Sequence, residues 1–93
     1  MSALTIEVKE GKVSVSYEAK TASNIALRLK QLQKAFQIDE KGVLVMLDLK
    51  PTNQNVRLLK RWQMDTDTPS YQEMPEHKWK LLLILVLGQE SNI

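Results

Sequence analysis

The longest uninterrupted apolar stretch in this chain runs from Leu81 to Leu87. Its seven residues fall far short of the roughly 20 needed to span a bilayer. They are too many to leave in water, so the segment must be covered on all sides. With Trp79 at its head and Gly88 at its end, it reads as a central strand buried on both faces, because strands rather than helices have this length. The alternative is a short helix with Pro75 near its start and Gly88 just past its end. Val43–Leu49 is a second compact run, flanked by Gly42 and by Lys50-Pro51, and it too fits a buried strand. Asp48 is its one acid.

The opening residues follow a different rhythm. Ile6 and Val8, then Val13, Val15 and Tyr17, alternate with Glu7, Lys9, Lys12, Ser14, Ser16 and Glu18. A period of two gives each strand one apolar and one wet face. Glu10-Gly11 lies between them, and glycine supplies the positive φ of a tight hairpin turn. Next, Thr21, Ser23 and Asn24 offer side-chain oxygens that can cap a helix. Ile25, Leu29, Leu32 and Phe36 follow at spacings of four, three and four, which places them on one helical face. Arg28, Lys30, Gln31, Gln33 and Lys34 lie elsewhere on the wheel, and Leu27 at its margin. A helix over about 23–37 is expected, ended by Asp39-Glu40-Lys41-Gly42.

Residues 52–64 fit two patterns. As a strand, Val56, Leu58, Trp62 and Met64 share a face. As a helix, Thr52 caps and Leu58, Leu59 and Trp62 form the stripe. The strand is preferred because it would pair with the run that follows the polar, proline-punctuated loop 65–76. The resulting order is β-β-α-β-β-β. It defines an α+β fold with one mostly antiparallel sheet and a single amphipathic helix packed on one face. The 93 residues amount to one domain, 1–93, with a frayed end at about 89–93. Strand content should exceed helix content. One helix covers one face of that sheet, so a second copy of the chain is expected to cover the other.

Chemistry is sparse. There is no cysteine, which removes disulfides, thiolate metal sites and cysteine nucleophiles and leans towards a reducing, cytoplasmic setting. The first residues carry neither a basic stretch nor a long apolar one, so no signal peptide is expected. His77 is the one histidine and stands beside Lys78, with no serine in a strained-turn motif near it in sequence. Asp65, Asp67 and Glu76 match positions 1, 3 and 12 of a calcium loop, but Ser70 stands where the glycine is needed. Gly11, Gly42 and Gly88 form no phosphate-binding cluster. Neither a catalytic residue, a metal site nor a cofactor is expected, and the chain reads as non-enzymatic.

The net charge of +2 is less informative than its arrangement. Residues 50–62 hold Lys50, Arg57, Lys60 and Arg61 and no acid, whereas 63–76 hold Asp65, Asp67, Glu73 and Glu76 and no base. His77, Lys78 and Lys80 follow. If 53–64 and 77–87 paired as a hairpin, Arg57, Arg61, Lys78 and Lys80 would share a face, with Lys60 in the same cluster and Trp62 or Trp79 next to the cations. That is the composition of a stacking platform for single-stranded nucleic acid. The tethered carboxylates of the loop would neutralise those cations, so the leading expectation is a protein–protein interaction module: a subunit, adaptor or inhibitor, with self-association as a homodimer expected. A nucleic-acid-binding protein using 50–62 and 77–80 is the alternative, and no membrane partner is expected.

Overall fold

The computed structural model describes residues 3–90. Two strands, β1 (Leu4–Lys9) and β2 (Lys12–Tyr17), precede four helices: α1 (Ala22–Phe36), α2 (Glu40–Met46), α3 (Asn53–Trp62) and α4 (Glu76–Glu90). The strands form an antiparallel hairpin in which Leu4 faces Tyr17, Ile6 faces Val15 and Val8 faces Val13. Glu10 and Gly11 both take positive φ, 53° and 78°. Two consecutive left-handed residues define the turn whose twist matches paired strands. The hairpin and its turn are those expected from the alternation.

Each of the first three helices begins on a side-chain cap. Thr21 accepts from the Asn24 amide at 3.2 Å, Asp39 from Gly42 at 3.0 Å and Thr52 from Asn55 at 3.1 Å. The first two also end alike. Gln37 and Asp48 adopt left-handed φ of 53° and 59°, so Ile38 N–H reaches the Gln33 carbonyl at 3.1 Å and Leu49 N–H that of Leu44 at 2.8 Å. These bonds satisfy carbonyls that the helix end leaves unpaired. At α4 the Pro75 carbonyl accepts from Lys78 and Trp79.

Ile25, Leu29 and Leu32 of α1 meet Val43, Leu44 and Leu47, Leu59 and Trp62, and Trp79, Leu82, Leu83 and Val86 in one buried cluster. Met74 of the long loop and Ala3 complete it. The α1 helix matches the expected 23–37 within a residue, but two of its side chains do not. Phe36 is exposed at the helix end, and Arg28 is buried.

The larger expectation is overturned. The fold is a two-stranded hairpin on a four-helix body, about half helical, rather than a multi-stranded sheet with one helix. Val43–Leu49, read as a strand, is α2 and its closing turn. Residues 52–64 form α3, and Trp79–Leu87 lies within α4. Apolar runs without a period do not separate a strand from a helix. Here the period is hidden because Val45 and Ile84, 60 and 50% exposed, are apolar on the wet side, and the caps of α2 and α3 were the remaining signal. Asp39, read as the end of α1, starts α2. Thr52 starts α3. Gln89 and Glu90, expected to fray, belong to α4, and residues 91–93 lie outside the described residues. With the sheet goes the far face that a second copy was expected to cover: both runs contribute instead to one buried cluster with α1.

Candidate interaction surfaces

The hairpin stands away from the helical body. Ile6, Val8, Val13 and Val15 are 62, 69, 66 and 45% exposed, and their register places all four on one side of the two strands, with Leu4 and Tyr17 at the base. Thr5, Glu7, Lys9, Lys12, Ser14 and Ser16 occupy the other side, also in water. The radius of gyration, 14.3 Å, exceeds the ~12 Å of a compact chain of this length. An isolated two-stranded hairpin is marginal in water, so this projecting arm presents an apolar face without a covering layer.

Its base is firmly tied. Glu18, one residue past β2, receives Arg28 Nε at 3.0 Å and Arg28 Nη2 on the same carboxylate oxygen, Oε2. Both side chains are buried. Arg28 Nη1 donates to Gln31 Oε1 at 2.7 Å. The Glu18 backbone carbonyl accepts from Trp79 Nε1 at 2.8 Å, and its amide donates to Ala3 at 3.0 Å. Removing one member of a buried pair leaves an uncompensated charge; here it would also release the arm from α1. Lys80 Nζ lies 5.0 Å from the centre of the Tyr17 ring, a cation–π contact that ties β2 to α4.

A second surface lies on α3. Asn53, Gln54, Arg57, Lys60 and Arg61 are its exposed positions, while Leu59 and Trp62 point inward and Asn55, Val56 and Leu58 are half-buried. At 3.6 residues per turn the five exposed residues span an arc of about 120°. The arc holds three cations, two amides and no acid. Arg57 and Arg61 border an open cleft of about 610 Å³ with Gln54 and Gln72. Among the described residues none of the three cations enters an ion pair.

The seven residues singled out from the sequence are thereby divided. Arg57, Lys60 and Arg61 share the outer side of α3. Trp62 and Trp79, 2 and 1% exposed, are core and have no face on which a base could stack. Lys78 Nζ donates to the carbonyls of Leu47 and Asp48 at 2.7 and 3.3 Å, where it caps the end of α2, and Lys80 covers Tyr17. The cross-strand pairing that was to unite them does not form, because both segments are helical.

The loop acids lie elsewhere as well. Lys20 Nζ takes Glu73 at 3.3 Å and Glu76 at 3.4 Å and donates to the Met74 carbonyl at 2.7 Å. Asp65 and Asp67 border a separate depression with Lys20, Thr21 and Ile25 at the start of α1. The neutralisation of the α3 cations expected from sequence proximity does not occur. The loop approaches α3 through the neutral Gln72, whose amide donates to the Arg61 carbonyl at 3.4 Å. Among the described residues, no three His, Cys, Asp or Glu side chains gather as metal ligands, and no helix is long and apolar enough to cross a membrane.

The apolar hairpin face was the feature missed as a surface. Its alternation was plain in the sequence, but the face was assigned to the interior of a larger sheet. No protein-family model, curated protein or solved structure matches this chain.

Proposed function

We propose that this chain is a small non-enzymatic protein–protein interaction module that self-associates through the apolar face of its N-terminal hairpin. The observation that carries this reading is the row Ile6, Val8, Val13 and Val15, aligned by register and exposed on a sheet with no second layer. A patch on the order of 450 Å² per copy lies within the range of the largest apolar patch on a protein surface, and such patches are often functional. A second copy is the occupant that matches it. The four side chains carry no charge, and Lys80, over Tyr17, lies at the base of the face rather than along the row, so a two-fold axis through the row opposes no like charges. Two such faces bury about 900 Å², and the backbone and polar rims buried with them bring the total to the ~1,000 Å² at which specific interfaces begin. The dimer is therefore weak, held at micromolar concentration. Because Glu18 and Arg28 fix the arm to the body, the face is presented in a set direction and little ordering is required on association. The absence of cysteine fits a reducing, cytoplasmic setting.

Sedimentation velocity at tens of micromolar tests the reading. Wild type should run as a dimer. The variant Ile6→Thr/Val8→Thr/Val13→Thr/Val15→Thr retains β-branched residues that favour strands and adds no charge; it should run as a monomer with unchanged far-UV circular dichroism. A monomeric wild type at that concentration refutes self-association, and a variant that remains dimeric refutes the hairpin as its site.

A further inference from the structure

We infer that the outer face of α3 is a contact surface for duplex DNA, with Arg57, Lys60 and Arg61 on phosphates and Asn53 and Gln54 towards base edges in the major groove. The inference does not depend on the hairpin reading, since it concerns the other part of the molecule. Three observations meet on this helix. First, its solvent arc holds only cations and amides, in a protein whose acids are almost evenly matched to its bases overall, 11 against 13. A solvated helix of this composition ordinarily mixes both signs. Second, the three cations are uncommitted. Lys20, Arg28, Lys78 and Lys80 are each engaged within the fold. Arg57, Lys60 and Arg61, like the exposed Lys9, Lys12, Lys30, Lys34, Lys41 and Lys50, have no ion pair among the described residues, and the three of α3 fall on one arc. Third, Asn53 and Gln54 lie in the first turn with neither side chain used internally, unlike Asn55, whose Nδ2 donates to the Lys50 carbonyl at 2.8 Å.

The chemistry selects among polyanions. Phosphates attract the cations by charge alone, whatever molecule carries them. Carboxamides add what an anionic membrane or an acidic peptide does not require: donor–acceptor pairs matched to the N6 and N7 positions of adenine, which a major groove exposes. A bilayer would also call for exposed apolar side chains beside the cations; the arc has none, and Leu58 at its margin is half-buried. Unpaired strands are recognised by stacking on aromatic rings, and Trp62 is buried on the opposite side of the same helix. Duplex RNA keeps its major groove too narrow for a helix. A bare helix projecting a polar arc remains suited to the groove of B-form DNA, which is wide enough to admit one.

Fluorescence anisotropy with the full chain at 50 mM salt provides the test, using a 20-base-pair DNA duplex, one of its single strands, and phosphatidylserine-containing vesicles as competitor. The duplex should bind with micromolar affinity. Log affinity should fall against log salt with a slope near −0.9 per phosphate engaged, about −2 to −3 for each chain. Arg57→Ala/Arg61→Ala should flatten that slope by about one to two while leaving circular dichroism and sedimentation as in wild type. Selection from randomised duplexes should yield a preferred motif that relaxes at one or two positions in Gln54→Ala. Failure to bind duplex at 50 mM salt, or a slope indifferent to the arginine changes, overturns the inference. Equal affinity for the single strand, or displacement by vesicles at matched charge, overturns it in favour of a generic anion-binding patch. A selection without any motif overturns the placement in the groove.

Discussion

Two of the three glycines sit in helices, and their surroundings differ enough for opposite outcomes. A Cβ placed on Gly42 in the first turn of α2 would lie 2.7 Å from Ile38 Cβ and 3.2 Å from its Cγ2. Ile38 closes the end of α1 through its bond to Gln33, so the glycine allows two helices to meet within five residues. At Gly88 in α4 a Cβ meets nothing within 4 Å. Replacing glycine by alanine within a helix ordinarily gains about 0.5–1 kcal/mol. Gly88→Ala should therefore raise the midpoint of urea unfolding by that equivalent. Gly42→Ala should lower it, because the clash involves a Cβ fixed to the backbone rather than the tip of a flexible chain. A stabilised Gly42→Ala protein would show that the α1–α2 junction yields more easily than its geometry implies. The legible residues follow the same division. Ile25, Leu29 and Leu32 reached the core as their spacing required, but Arg28 was assigned to solvent because no helical wheel reveals a buried partner ten positions away in Glu18.

At the scale of elements, legibility depended on whether the side of a segment that meets water carries polar residues. The hairpin and α1 each have a polar side, so their apolar residues carry a period and both elements form where expected, although the apolar face of the hairpin and Phe36 of α1 are exposed rather than covered. Helix α4 buries Trp79, Leu82, Leu83 and Val86 and half-buries Leu81, Leu85 and Leu87. Its wet side, shared by Glu76, Lys80 and Gly88, also carries Ile84 at 50% exposed, and an apolar residue on the wet side erases the period. Helix α3 offered both patterns through Val56, Leu58, Leu59 and Trp62, and its resolution lay in the Thr52 cap. The candidate site divided similarly. The cations of α3 were visible as a run, whereas their separation from Trp62 depended on the helical period. The hairpin contains one local compromise that can be measured. Glu10 occupies a left-handed position at φ 53°, which disfavours a residue with a Cβ by roughly 1–2 kcal/mol and is tolerated best by Gly, Asn and Asp. Glu10→Asn restores the preferred pairing with Gly11. It should raise the protection of β1 and β2 amides in hydrogen exchange several-fold and leave α4 unaffected; unchanged hairpin protection would mean that the body, not the turn, limits opening of the arm.

The whole molecule is an arm and a body, and its two surfaces lie on different parts. The hairpin face is apolar and uncharged, and the α3 arc is charged and polar. Their contributions are therefore separable in one experiment. If the arms of two copies associate, one assembly carries two α3 arcs, and a duplex long enough to meet both engages twice as many phosphates. The second arc then binds as an intramolecular step, with an effective concentration well above that of free protein. The salt slope counts phosphates rather than affinity, so it reports this doubling directly: about −4 to −6 for the dimer against −2 to −3 for one chain. The four-threonine hairpin variant leaves every cation in place and adds none, so a change in its slope reflects assembly alone. On a 40-base-pair duplex its slope should fall to about half that of wild type, while on a 10-base-pair duplex, which one arc fills, the two proteins should agree. Equal slopes on the long duplex would mean that the arms do not bring two arcs onto one DNA. The sedimentation of the same samples then distinguishes a failed dimer from a dimer whose α3 faces point apart.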